Sequence, residues 1–507
     1  MLLTTLLLAR EIQKGPTVDL TNEIKKALFP ISSLSASAPF DDLRPLGKLL
    51  KDTRVVGVGE ATHGTSEFCT MKHRLFRYLV EEQGFTVFGL EASMPDCIAM
   101  DDYVLNGKGD PKAAVINQGF WTWSTQEMLD LIEWMRAYNL DPKHKKKLRV
   151  IGFDMQSQVS GTIYFEKKEK ELTGDTDSSL WENASYYPLD PESRKVVREK
   201  MDGLVAKITA KFGEDEGRRA KFVKSVYFQS ERNTWTRALI ELQMQTLPTM
   251  SDTFADASKL MEELKLPPGP ALDGLKFIDD HKDKTVDPKP AEKSALSLKL
   301  AAQSSAMMNL VSKADEAQGK RLSRQSELLR FLSFGLTLPD DVEKTHGERI
   351  SFRDKCMAEN ISRAQTELFP NQKMMVWAHN GHIMRLTQPQ LNRPMGTYLS
   401  EHYKKAYFPI GFSFATGDFN AKTGNGDIVV HSVGEPKAGS LDDIFEKVGK
   451  PMFWVPTTVN IGERSARSIG AFFDSQKGDL FSMNLDPAKA FDAMIFVSKS
   501  SPTNLLK

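Results

Sequence analysis

"VVGVGEATHGTSEF", residues 55–68, decides how the chain is read. It starts as a short apolar run and ends as the first turn of a helix-like pattern. Between them a glycine-flanked turn carries Glu60, His63 and Glu67. After it Phe68, Met71, Leu75, Phe76, Leu79 and Val80 recur at helical spacing until Gly84 stops the run. A buried strand, a tight turn and a helix open a βαβ unit.

Three further segments resemble that first strand: "FTVFGL" from Phe85, "LRVIGF" from Leu148 and "MMVWA" from Met374. Nearly continuous apolar runs of this length suit strands covered by helices on both faces. "STQEMLDLIEWMRAYN" predicts another helix, with Ser124 as N-cap and Glu127 closing a capping box. The pattern predicts an α/β fold: a mostly parallel central sheet flanked by helices. From about 160 to 350 the texture changes to long Lys-, Glu- and Ala-rich helical stretches, broken by "KLPPGPALDG" at 265–274. Residues 1–159 are expected to form the first part of the α/β core, 160–350 an inserted helical lobe and 351–507 the second part. Strand patterns return in "AYFPIGFSFATGDF", "DIVVHS" and "FDAMIFVS".

Lys plus Arg and Asp plus Glu number 67 each among 507 residues, so no net field favours nucleic acid or an anionic membrane. Neither is expected as a partner. Cys69, Cys97 and Cys356 are too few and too far apart for a disulfide framework or a zinc knuckle. The start, "MLLTTLLLAREIQKGP", reads as part of an N-terminal helix, which fits a cytoplasmic protein. A remnant of an export signal is the alternative.

Each of the four strands ends on or just before an ionisable residue: Glu60, Glu91, Asp154 and His379. Ligands of open parallel sheets bind outside the carboxyl ends of the strands, so four separate segments deliver titratable groups to one edge. Singly, each carboxylate has a plainer reading as a helix cap and each histidine as a satisfied core residue. His63 stands apart because Glu60 and Glu67 flank it at i−3 and i+4. A carboxylate on one imidazole nitrogen fixes the tautomer and leaves the other to take a proton from water. His379 and His382 repeat the theme in "WAHNGHI". Lys72 falls roughly 40° from Phe68 on the apolar arc of its helix, so it needs a partner or must reach the rim. Arg74 and Arg77 are expected on the opposite, solvated face. Cys69 reads as a small buried hydrophobe.

No G-x-S-x-G elbow, Walker loop, H-E-x-x-H or helix-opening G-x-G-x-x-G follows a strand. Hydrolysis at this edge therefore calls for activated water rather than a covalent serine.

"GEATHGTSEF", "FGLEASMPD", "GFWTWSTQEMLDLIEWMRAYN", "VIGFDMQ", "RDKCMAEN" and "WAHNGHI", in that order, resemble the erythromycin esterase family. The resemblance runs in pieces from about Val55 to Val497 and is thinnest in the helical stretch. It implies an α/β fold with a helical lobe, a deep cleft and metal-independent hydrolysis of a macrolide lactone, which confers antibiotic resistance. It also implies no cofactor and a small-molecule substrate. On the matching positions His63 becomes the general base and Glu60 its orienting partner. Glu91, His379 and His382 complete a polar wall. Lys72 stands where resistance enzymes of the family are expected to carry arginine, and Arg353 is the alternative donor to the oxyanion. Asp154 matches a family motif. Trp121, Trp123 and Met155 are candidates for the wall of a roomy apolar site. Two other readings stay open. One is a metal-dependent hydrolase with Glu60, His63, Glu91 and His379 as ligands; the other is a noncatalytic macrolide-binding relative.

Overall fold

A computed structural model describes residues 20–186, 191–244, 247–265, 290–311, 351–385 and 393–507, with a few residues at 273–276 and 315–329. The opening apolar run and nearly all of the Pro/Gly-rich stretch at 265–274 lie outside the described residues.

All four predicted strands form, as β2 (Val55–Val58), β3 (Phe85–Ser93), β4 (Arg149–Asp154) and β5 (Lys373–Trp377). With β1 (Phe29–Pro30), β6 (Tyr407–Lys422), β7 (Ile428–Val433), β8 (Met452–Pro456) and β11 (Ala493–Ser500), they build one sheet. β9 (Arg464–Arg467) and β10 (Ser482–Leu485) pair separately. The order is β1-β8-β11-β6-β2-β5-β3-β4, with β7 alongside β6. From β4 to β11 all neighbours are parallel; β8, β1 and β7 add antiparallel edges. The chain leaves β2 for β3 and β4 on one side and later lays β6 on the other. β5 fills the gap between β2 and β3, which makes this region the topological switch point.

The apolar runs follow from burial on both faces. Val55, Val87, Met374 and Val376 join one apolar layer, while Val56, Val58, Phe88, Leu90, Met375 and Trp377 join the other. The helices Ser66–Gln83 and Gln126–Leu140 cover the second layer. Residues of Gln158–Thr173, Pro191–Phe212, Glu214–Met244 and Phe352–Arg363 pack into the first. No helix of the described residues is long and apolar enough to cross a membrane.

One local expectation holds and three change. Gly84 does end the 66–83 helix, with φ of 74° in the left-handed region that glycine tolerates. The helix Gln126–Leu140 is capped one residue later than expected: Thr125, not Ser124, accepts from the Met128 N–H. Glu127 therefore closes no capping box and bonds to Ser66 Oγ instead. Arg74 is fully buried rather than solvated, because residues 33–42 lie over its face and supply the Ser33 carbonyl and the Asp42 carboxylate. Arg77 is half-buried, paired with Glu81 and lying over Phe40 and Trp134.

Candidate active site

β2 delivers its chain end into a turn pressed against β6. A Cβ on Gly64 would stand 1.9 Å from the Asn420 carbonyl oxygen, so only glycine allows this approach. The turn sets His63 Nδ1 2.5 Å from Glu60 Oε1. The other carboxylate oxygen of Glu60 accepts from Lys72 Nζ at 2.5 Å and from Trp377 Nε1 at 2.8 Å. Glu60 and Lys72 are fully buried, and the ammonium lies 4.3 Å from the centroid of the Trp377 ring. Burial alone would raise the Glu60 carboxyl, but Lys72 and His63 hold it below the usual range. Burial pulls Lys72 down against the attraction of Glu60. With Nδ1–H donated to Glu60, the His63 lone pair sits on Nε2, which makes no hydrogen bond among the described residues.

A second cluster forms at the ends of β3 and β4. Arg353 donates from Nε and Nη2 to both oxygens of Asp154, at 3.0 and 2.8 Å, a bidentate pair. Nη2 also reaches Glu91 Oε1 at 2.6 Å, and Nη1 lies 3.0 Å from His382 Nε2. His382 Nδ1 bonds to Asp354 Oδ1 at 2.7 Å. Burial opposes ionisation of Glu91, yet His382, Arg353 and His63 hold it well below the carboxylate range. Burial likewise lowers His382, but Asp354 and Glu91 outweigh it and raise the ring above its ordinary value.

His379 joins the two clusters. Its backbone N–H donates to Glu91 Oε2 at 3.0 Å, and its ring centroid lies 5.3 Å from that of His63. As N-cap of the Asn380–Ile383 turn, its Nδ1 accepts from the Gly381 N–H at 3.1 Å. The proton of the neutral ring must then sit on Nε2, which is buried without a partner. Burial, with the neighbouring His63 and His382 imidazoles, pushes this ring down to about 3. His379 is therefore a neutral ring with a vacant N–H, beside a His63 ring whose Nδ1 is taken by Glu60.

A family model described as erythromycin esterase matches residues 80–263 and 274–500, most of the chain. The chain belongs to the erythromycin esterase family. The matched span holds Glu91, Asp154, Arg353, His379 and His382 and begins after Glu60, His63 and Lys72. A Bacillus subtilis protein named "Putative hydrolase YbfO" is 26% identical over 447 residues, covering 85% of this chain and 80% of its own. Erythromycin esterase type II of Escherichia coli is 30% identical over 116 residues, only 23% of this chain and 27% of its own. A solved Bacillus cereus protein shares the fold at a TM-score of 0.59 and 22% identity, covering 96% of this chain and 98% of its own.

In this member of the erythromycin esterase family the other expected residues separate by access. Trp123 is buried: its Nε1 donates to the Glu91 carbonyl, and its ring meets Trp377 and His63 edge-on. Met155 is fully buried in the first apolar layer and offers no surface to a ligand. Asp154 is also fully buried, its oxygens taken by Arg353, the Met155 N–H and Gln156. It holds Arg353 instead of facing open space. Trp121 is half-buried, and its indole N–H has no partner among the described residues. Glu67 does not reach His63; it turns to the Ser501 N–H and hydroxyl. Four of the five Arg353 N–H groups are engaged, leaving one on Nη1, and Lys72 Nζ bonds to Glu60. Among the described residues no three His, Cys, Asp or Glu side chains are grouped to hold a metal ion.

Three positioning residues escaped sequence reasoning. Trp377 anchors Glu60, Asp354 anchors His382, and Asn380 grips the Phe412 backbone from both ends of its amide. All three stand inside quoted motifs, but no local spacing marks their partners. A cavity of about 330 Å³, lined by Asp101, Arg149 and Arg219, lies at the opposite end of β4 and takes no part in this constellation.

Proposed function

We propose that the protein is a carboxylic-ester hydrolase that opens the lactone of macrolide antibiotics such as erythromycin and thereby confers resistance. The observation that carries the reading is the proximity of two imidazoles with opposite assignments, centroids 5.3 Å apart: His63, whose Nδ1 is bonded to Glu60, and His379, whose Nδ1 accepts from Gly381 and whose buried Nε2 has no partner among the described residues. Family membership supports an ester as the substrate class, and the likeness of 23% and 24% of this chain to two E. coli erythromycin esterases supports a macrolide.

In the proposed reaction His63 Nε2 takes a proton from water as the water oxygen attacks the lactone carbonyl. Glu60 stabilises the imidazolium through Nδ1, and Lys72 and Trp377 hold Glu60 in place. The tetrahedral oxyanion accepts from His379 Nε2–H, a donor already desolvated before substrate arrives. Collapse breaks the ring C–O bond, and the departing oxygen recovers the proton from His63. The products are a carboxylic acid and an alcohol on one opened chain. Arg353 keeps Glu91 and His382 in place, while Trp121 offers an indole N–H to the substrate. The carboxylates of the metal-dependent reading are already paired with Lys72 and Arg353, which favours the metal-free route.

The test is mass spectrometry of erythromycin incubated with EDTA-treated wild type and with His63→Ala protein. The expected result is the gain of one water with wild type alone. No mass change, even with metals restored, removes the macrolide assignment, and activity that returns only with metal favours the ligand reading.

A further inference from the structure

The segment that follows β11 runs directly across the His63 turn and continues to the loop that carries Trp123. Ser66 donates from its backbone to the Ser501 carbonyl at 2.9 Å, and Glu67 returns two acceptors to Ser501, at 2.7 and 2.5 Å. Thr65 and Pro502 form an antiparallel bridge. The Thr503 N–H reaches the Gly64 carbonyl at 3.0 Å, and Asn420 Nδ2 grips the Thr503 carbonyl and hydroxyl. Beyond that point the same segment changes hands. Gln126 donates to the Asn504 carbonyl at 2.8 Å, Thr125 and Leu505 form a second bridge, and Leu506 donates to the Ser124 carbonyl at 2.9 Å.

Glu127 lies at the crossing. It is 6% exposed. It accepts from Ser66 Oγ at 2.6 Å, from the Asn504 backbone at 3.2 Å and from Asn504 Nδ2 at 3.0 Å. One buried carboxylate therefore ties the helix start beside His63, the strap and the start of the Gln126–Leu140 helix. The two loops so joined put the Trp123 ring edge-on to His63, with centroids 5.5 Å apart.

We infer that residues 501–506 are a positioning strap, and Glu127 its clamp, that together hold His63 at the angle its proton transfer requires. The inference rests on the reading of His63 as the general base. Strap and clamp touch no reacting atom. Their effect passes through residues Gly64–Ser66: the strap bonds the Gly64 carbonyl and the Ser66 N–H, and the clamp bonds the Ser66 hydroxyl. A general base displaced by about 1 Å loses up to about 100-fold in rate, so a clamp of this kind acts on turnover rather than on substrate affinity.

The experiment compares full-length Glu127→Ala, Glu127→Gln, Arg149→Ala and His63→Ala proteins with wild type. Arg149→Ala breaks the ion pair with Asp101 at the far end of β4 and serves as a destabilised control. All are assayed well below their thermal midpoints. The expected result is kcat about 10- to 100-fold lower for Glu127→Ala, with KM within about twofold of wild type. Glu127→Gln keeps an acceptor for Ser66 and recovers most of the loss, and Arg149→Ala keeps wild-type kcat. The His63 imidazole resonance, assigned by its disappearance in His63→Ala, gives a readout independent of substrate: it shifts or broadens in Glu127→Ala and not in Arg149→Ala. Wild-type kcat and an unmoved resonance in Glu127→Ala overturn the strap. So does a kcat loss that Gln does not recover, or one that Arg149→Ala shares. Activity retained by His63→Ala overturns the base assignment instead, while the resonance still reports on the strap.

Discussion

His63 and His379 stand with ring centroids 5.3 Å apart, yet their hydrogen bonds place their protons on opposite atoms. Glu60 takes the Nδ1 proton of His63, whereas the Gly381 N–H occupies Nδ1 of His379. Replacing His379 by Phe keeps the ring volume and removes the donor. In the proposed reaction kcat falls about 10²- to 10³-fold with KM little changed, as steady-state kinetics on the ester will read. The same variant isolates a pH effect on stability. Unfolded His379 titrates near 6.5 and the folded residue near 3, so between these values only the unfolded chain takes the proton. The neutral ring's contribution is full above about 6.5 and falls by about 1.4 kcal/mol per pH unit below it. Urea unfolding at about pH 7 and about pH 5 will show the stability gap between wild type and His379→Phe narrowing as the pH drops. A gap that stays constant would mean that the folded ring titrates normally.

At the scale of elements, the turn between β2 and the 66–83 helix is fixed from outside itself. Gly64 meets the Asn420 backbone on β6, and a methyl group there has nowhere to go. Gly64→Ala is expected to cost about 1–3 kcal/mol through overpacking. Because the same shift moves His63, activity will fall further than the lost folded fraction explains, which thermal midpoints and kcat measured together will show. Helix 66–83 illustrates a limit of periodicity. Its apolar arc was legible, including inward Lys72, because spacing alone decides which residues share a face. The burial of Arg74 was not, because it depends on residues 33–42 folding over the other face. The cap at Thr125 shows the same limit on a smaller scale: Ser124 and Thr125 have equivalent chemistry, and the strap bonding at Ser124–Gln126 decides between them.

At the scale of the molecule, Arg353 ties the ends of β3 and β4 to the helix Phe352–Arg363 and to the turn Asn380–Ile383. Arg353→Met leaves Glu91 and Asp154 buried without their cation, a change that costs about 3–5 kcal/mol. Without Arg353 the folded Glu91 pKa rises toward and above its unfolded value, so the variant's deficit is largest near neutral pH. It shrinks as Glu91 takes up a proton in acid. Chemical denaturation at about pH 7 and about pH 4 checks this, and a deficit that grows toward acid would contradict it.

The sequence by itself determined the four core strands, their mostly parallel sheet, the helices beside them and the residues Glu60, Glu91, Asp154 and His379 at or near the strand ends. Two-sided burial writes itself into apolar runs, and local dihedral preferences need no distant partner. Tertiary structure alone decided which partner each site residue meets. Asp154 and Arg353 are 199 positions apart, Glu60 and Trp377 are 317 apart, and Glu127 and Asn504 are 377 apart. Their meeting is set by the strand order, not by spacing. The histidine roles follow from these meetings, because an imidazole is base or donor according to which neighbour takes its first nitrogen.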